Sequence, residues 1–166
     1  MKRVIGIAAA LILVLAACSE ESNFNPPAPM ATTPDATGRY CGMLLAEHAG
    51  PKGQILLKGV DQPVWFTSVR DTFTFLDLPE EPKEIAAIYV SDMGKAPSWE
   101  KPGDDNWILA EKAVYVVESD RVGGMGGAEA IPFGEEASAR EFIVEHGGRI
   151  VPFEEATIEM AKERRQ

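Results

Sequence analysis

Val4 to Ala17 carries no charged side chain and follows the basic start Met1-Lys2-Arg3, so the first stretch of the chain is spoken for before any fold is considered. The run is shorter than the roughly 20 residues a transmembrane helix needs. A basic start, an apolar middle and small residues at the end make residues 1–17 a secretory signal peptide. Its end, Leu15-Ala16-Ala17-Cys18, has the form of a bacterial lipobox, in which cleavage leaves Cys18 as the new N-terminus with a diacylglycerol on its sulfur. The alternative is ordinary cleavage after Ala17, with Cys18 left as a plain thiol. Ser, Asn, Pro and Ala dominate the next stretch, where Phe24 is the lone aromatic, so residues 18–37 read as the lipidated cysteine and a flexible tether. The folded part is expected over residues 38–166, about 130 residues, enough for one domain or two small halves sharing a core.

Charge narrows the partners. The chain carries a net charge of −10, and loss of the leader removes Lys2 and Arg3 but no acid, which makes the mature protein more acidic still. Such a surface disfavours nucleic acid and anionic lipid headgroups, while it concentrates cations and suits a partner with a basic patch. Solubility alone explains it equally well. The leader places the protein in the periplasm, held to the membrane through acyl chains. By resemblance to Gram-negative lipoproteins, Ser19 after Cys18 favours the outer membrane over the inner.

The chain has two cysteines, and with Cys18 acylated, Cys41 is unpaired in an oxidising compartment where thiols are normally bridged. Burial as a small hydrophobe and ligation of a metal both account for such a thiol. Met43 stands two residues on, so both side chains share a face if Gly42 simply continues a strand. Thiolate and thioether are soft donors that select copper(I). Met125 lies among Gly123, Gly124, Gly126 and Gly127, which argues against a packed core and leaves the thioether exposed and adjustable, although a lone Met commonly fills a core gap. His48 is a further imidazole donor or transfer ligand, or an exposed turn residue. Met93 fits core or rim packing better, and His146 fits a helix end. An enzyme is not expected: Cys-X-X-Cys is absent, as are a His-rich zinc signature and a nucleophile elbow.

Periodicity gives a mixed chain. Met43 to Glu47 and Gly53 to Lys58 read as a hairpin, and Phe66, Val69, Phe73 and Leu76 recur at helical spacing after Pro63. Glu84 to Ser91 is a strand, and Ala96 to Asn106 is a long loop. Strands follow at Ala113 to Ser119 and Ala128 to Phe133. Glu135 to Glu145 is a helix stopped by Gly147-Gly148, Arg149 to Pro152 a strand, and Phe153 to Arg165 a last helix with charges matched to its dipole. The order is ββαβ twice, an α+β fold with a C-terminal helix. It places Cys41 and Met43 at the start of the first hairpin and Met125 in the turn of the second.

Cys41-Gly42-Met43, then His48 and Gly50-Pro51-Lys52-Gly53-Gln54-Ile55, resemble the N-terminal signature of the NosL family of nitrous oxide reductase accessory lipoproteins. Phe66 to Phe73, Tyr89-Val90-Ser91-Asp92-Met93, Trp107 with Ala110 and Lys112-Ala113, and Gly124-Met125-Gly126 leading to Ile131-Pro132-Phe133 are similar to that family in the same order. The resemblance covers about Arg39 to Phe153; Ala49 stands where the family usually has Pro. It implies two ββαβ units, treble-clef-like and similar to part of organomercurial lyase. It also implies copper(I) binding by Cys41, Met43 and Met125 with His48, and lipidation at Cys18. The implied role is delivery of copper for the copper-sulfide cluster of nitrous oxide reductase in denitrification. The implied partners are an ABC-type maturation complex with its periplasmic subunit and, directly or indirectly, the apo-reductase. A metal-free periplasmic scaffold docking the same machinery is the alternative. Carbon–mercury chemistry is not implied, because the folded region keeps one cysteine.

Overall fold

The computed structural model describes residues 25–164; the signal peptide, Cys18 and the last two residues lie outside them. Strands β1 (Gly53–Leu57), β2 (Val64–Phe66), β3 (Ile85–Ser91) and β4 (Trp107–Leu109) form one sheet in the order β2-β1-β3-β4. Helix α1 (Val69–Asp77) joins β2 to β3. A second sheet, in the order β6-β5-β7, contains β5 (Val114–Val117), β6 (Ile131–Phe133) and β7 (Arg149–Val151), with α2 (Glu136–His146) between the last two. Helix α3 (Phe153–Arg164) follows. Each half is therefore β-β-α-β with its first strand in the middle and antiparallel neighbours on both sides. The expected double ββαβ order and the C-terminal helix are present.

Local chemistry explains α1. The Ser68 hydroxyl accepts the amide of Asp71 at 3.0 Å, an N-cap that stops β2 from running into the helix. Val69, Thr72, Phe73 and Phe75 are buried along it. Gly53 lies so close beneath Thr72 that a side chain at 53 would collide with it. At the other end the Lys83 ammonium donates to the Leu76 carbonyl at 3.0 Å and the Leu78 carbonyl at 2.6 Å, covering acceptors that the helix leaves open.

The two sheets share one core. Phe73 of α1 meets Tyr115 of β5 at 5.4 Å and Phe153 of α3 at 5.5 Å, both edge-on. Val90, Val117, Val151, Ala156 and Met160 fill in around them. The Tyr115 hydroxyl, buried in this apolar setting, donates to the Ala110 carbonyl at 2.7 Å. A polar seam joins the sheets as well: the Met93 amide donates to Pro132 O, and Asp92 Oδ1 accepts the amides of Gly94 and Gly134.

Three points need correction. The first hairpin is β1–β2, with Gly53 opposite Phe66, and not 43–47 against 53–58. Residues 45–47 form a single 3-10 turn, and Thr37 pairs with Leu44 in an isolated bridge. Pro63 makes Val64-Trp65-Phe66 a short extended run, which the helical spacing of Phe66 and Val69 disguised. Just past the expected loop of Ala96 to Asn106, which is present, Trp107 to Leu109 add a strand that was not expected, paired with Tyr89 to Ser91. Finally, the part of the tether that the structure describes is docked. The Tyr89 hydroxyl donates to Pro27 O at 2.8 Å, the Gln54 amide brackets Met30 N and O at 2.9 Å each, and the Thr32 amide donates to Asp104 O at 2.7 Å. A proline-rich segment has few backbone donors to satisfy, so a few side chains suffice to hold it.

Phe73 serves both halves, so Phe73→Ala should destabilise the whole fold by about 3–5 kcal/mol in a single denaturant transition. Two separated transitions would show that the halves unfold independently.

Candidate functional site

Cys41 lies in a turn. The Gly38 amide donates to Met43 O and the Gly42 amide to Gly38 O, both at 2.9 Å, so residues 36–45 make a small hairpin ahead of β1. Gly42 has φ +66°, a left-handed conformation that other residues adopt at a cost. Gly42 thus does not continue a strand, and the same-face alternation expected for Cys41 and Met43 does not hold; the turn presents them on either side of the glycine. The Cys41 thiol is free and half-buried, its Sγ 3.7 Å from the Thr67 hydroxyl. A Cβ on Gly38 would come within 2.8 Å of that sulfur. Met43 is 39% exposed.

Met125 occupies the tip of a second bridged turn. Val122 pairs with Ala128, the Gly123 amide donates to Gly127 O at 2.9 Å, and the Gly126 amide to Gly123 O at 2.8 Å. The thioether is 43% exposed. Its glycines serve close approach more than freedom. A Cβ at Gly124 would lie 2.7 Å from the His48 Cβ, one at Gly123 would lie 2.6 Å from Glu129 Oε2, and one at Gly127 would overlap the Arg70 guanidinium. The backbone of the turn is clamped, and its methionine side chain is the adjustable part. Within its ββαβ unit this turn lies between β5 and β6, whereas the Cys41 turn precedes β1, so the two are not equivalent rims of a repeat.

Both turns meet the start of α1. Cys41 touches Thr67, the residue before the helix cap. The Met125 turn lies against Arg70, in the first turn of the helix. His48 stands beside it with Nδ1 3.1 Å from Gly124 O, while Nε2 is buried without a hydrogen-bond partner among the described residues. A neutral imidazole using Nδ1–H for that carbonyl leaves Nε2 as its lone-pair nitrogen.

Beneath the turns lies a set of buried and partly buried ionisable groups. Glu129 is 2% exposed, and burial raises its carboxyl to about 8 against two backbone hydrogen bonds that pull it down. Burial lowers Lys52 to about 8, opposed by Glu129, and its ammonium donates to Ala49 O at 3.1 Å and Gly50 O at 2.7 Å. Asp71 is raised above the usual carboxylate value by burial, with Arg70 and Ser68 pulling it back. Sequence reasoning passed over Thr67, Arg70 and Glu129. The available signal was a lone acid in the otherwise apolar run Ala128-Glu129-Ala130-Ile131.

Two other candidates lie elsewhere. Met93 packs against the core cluster of Val116, Ile131 and Phe133. His146 pairs with Asp120 at 3.0 Å and stacks on Phe142. Among the described residues no group of three or more His, Cys, Asp or Glu is placed to hold a metal ion, and no helix is long and apolar enough to cross a membrane. The two turns that reach the start of α1 carry one thiol and two exposed thioethers, with one imidazole beside the second turn, donor types suited to a soft ion.

Fold and site together define a small α+β protein that presents sulfur side chains on two clamped turns. The model of the NosL family matches residues 29–161, which include both turns. The chain is 45% identical over 156 residues to the copper-binding lipoprotein NosL of Achromobacter cycloclastes, covering 93% of this chain and 80% of that protein. It is 36% identical over 151 residues to the protein of the same name from Stutzerimonas stutzeri, covering 90% and 77%. The crystal structure of the copper chaperone NosL from Shewanella denitrificans superposes with a TM-score of 0.72 at 36% identity, over 79% of this chain and 96% of that one. This chain belongs to the NosL family.

Glu129 gives a pH test of the site's interior. Its folded value near 8 lies above the ordinary 4.5, so its contribution to stability is complete below about 4.5 and is lost as pH rises through 8. Denaturant unfolding at pH 5 and pH 8 should show this downward slope in the natural chain and a flatter one in Glu129→Gln.

Proposed function

We propose that this protein is a periplasmic, membrane-anchored Cu(I) chaperone that delivers copper for assembly of the copper-sulfide cluster of nitrous oxide reductase. The observation that carries the reading is that the Cys41 turn and the Met125 turn, distant in sequence, both reach the start of one helix, the first at Thr67 and the second at Arg70. The copper-binding names of its relatives and the chaperone title of the similar structure support it.

Cys41 thiolate, Met43 and Met125 supply one anionic and two neutral soft donors, which leaves a bound Cu(I) site without net charge. On a sulfur that has lost its proton the Thr67 hydroxyl is the donor of their contact. His48 Nε2 is the nitrogen available for ligation, because Nδ1 serves the Met125 turn. Two half-exposed thioethers suit hand-over, since a partner's donors can replace them one at a time. The cargo passes to an ABC-type maturation complex with its periplasmic subunit and reaches the apo-reductase directly or through it.

Lipidation at Cys18 holds the chain at the membrane, the outer membrane being favoured over the inner by Ser19. Packing begins by Pro27, so the span from Cys18 reaches at most about 30 Å. The copper site then works close to the bilayer surface.

Anaerobic competition against a Cu(I) chelator tests the site. Cys41→Ser should lose most high-affinity binding with the fold intact, and Met125→Ala should lose less and release copper faster, because a thioether is the weaker donor. Unchanged competition in Cys41→Ser would overturn the reading.

The anchor has its own check: Cys18→Ser should move the protein from the membrane pellet to the soluble periplasm. Persistent pelleting would mean that something other than the lipid holds it.

A further inference from the structure

Glu129 is the most buried charged side chain near the sulfur turns, and the copper chemistry above makes no use of it. Its Oε1 accepts the amide of Arg70 at 2.9 Å and that of Ala130 at 3.0 Å. Arg70 is the second residue of α1, and its amide is one of the donors a helix start leaves open. Ser68 caps the amide of Asp71, so the cap is completed by a carboxyl from a segment 59 residues further along. The other oxygen, Oε2, is buried with no hydrogen-bond partner among the described residues, and it faces Gly123, the first residue of the Met125 turn. A buried, unpartnered oxygen costs free energy that an apolar side chain would avoid, so its retention calls for a role.

We propose that Glu129 is a positioning residue that seats the Met125 turn on the first turn of α1 and so sets the reach between Met125 and Cys41. Cys41 is tied to the same helix start through Thr67. One carboxyl therefore touches the turn on one side and the helix on the other. Arg70, itself in α1, and His48 lie against the neighbouring glycines, and Glu129 ties the turn to the backbone amide of the helix start. The proposal rests on the Cu(I) reading for its consequence and on the structure for its geometry.

The test is a double-mutant cycle on the full chain, read by anaerobic Cu(I) competition. Glu129→Leu should weaken binding roughly 10- to 100-fold, as loss of a group that orients a ligand does. Adding Glu129→Leu to Met125→Ala should change affinity by less than about twofold, because both remove the same contact. Glu129→Gln, which keeps the Oε1 acceptor, should bind nearly as the natural chain does. Additive losses, or Glu129→Gln as weak as Glu129→Leu, would overturn the proposal. If Glu129→Leu does not fold, Gly123→Ala displaces the turn with the carboxyl in place, and undiminished affinity there overturns it equally. Amide exchange in the copper-free protein separates this idea from the chaperone reading. The Gly126 amide should exchange faster in Glu129→Leu or Gly123→Ala than in the natural chain, and equal protection would refute the positioning role. Failure of the natural chain to bind Cu(I) would instead refute the chaperone reading.

Discussion

Everything in this molecule depends on the packing of Phe73 against Tyr115 and Phe153. Phe73 belongs to the first ββαβ unit, Tyr115 to the second and Phe153 to the helix that closes the chain. Neither half has a large core of its own: the first brings four strands and one helix and the second three strands and one helix, units too small to bury a full core alone. The shared aromatic cluster makes one domain of two repeats. It also fixes α1 relative to β5 and the loop that leaves it, which is what places Met125 beside the helix that Cys41 touches.

The sulfur turns show how rigidity and exposure combine. Each is closed by backbone hydrogen bonds and an isolated bridge, and each presents its side chain to solvent from a held backbone. A soft monovalent ion needs few donors, so an accurate turn can replace an enclosed cage. Glycine at 123, 124 and 127 allows carboxylate, imidazole and guanidinium groups to come within contact of the main chain. The same residues that would suggest a floppy loop therefore tighten it.

The buried ionisable groups below carry the electrical side of that design. Lys52 and Glu129 are each pushed by burial toward the neutral form, to about 8 in both cases; Glu129 draws Lys52 back toward charge, and the amides of Arg70 and Ala130 draw Glu129 back. Lys52 spends its ammonium protons on the carbonyls of Ala49 and Gly50, which orders the segment next to His48. Their effect on the sulfur turns is mechanical: they hold the two chain segments that clamp the Met125 turn.

Much of this was legible in the sequence. The double ββαβ order followed from period-two apolar runs such as Ile85–Ser91 and from the helical spacing through Phe73. The candidate donors followed from sulfur chemistry and the flanking glycines of Met125. Short range sufficed there, because secondary structure and donor type are local properties. The extent of the first hairpin was not legible, since Val64–Phe66 carries no signal that outweighs its neighbours until it pairs with Gly53–Ile55. Nor was the docking of Pro27 to Thr32, which depends on Tyr89, Gln54 and Asp104 reaching them from afar. By itself the sequence determined the class of fold and supplied sulfur side chains of the kind a soft ion prefers. Only the tertiary structure decided that Gly42 turns the chain, that the glycines around Met125 admit clamps, and that Thr67, Arg70 and Glu129 join the two turns. These are contacts between residues tens of positions apart, and no local pattern encodes a distance that the shared core alone sets.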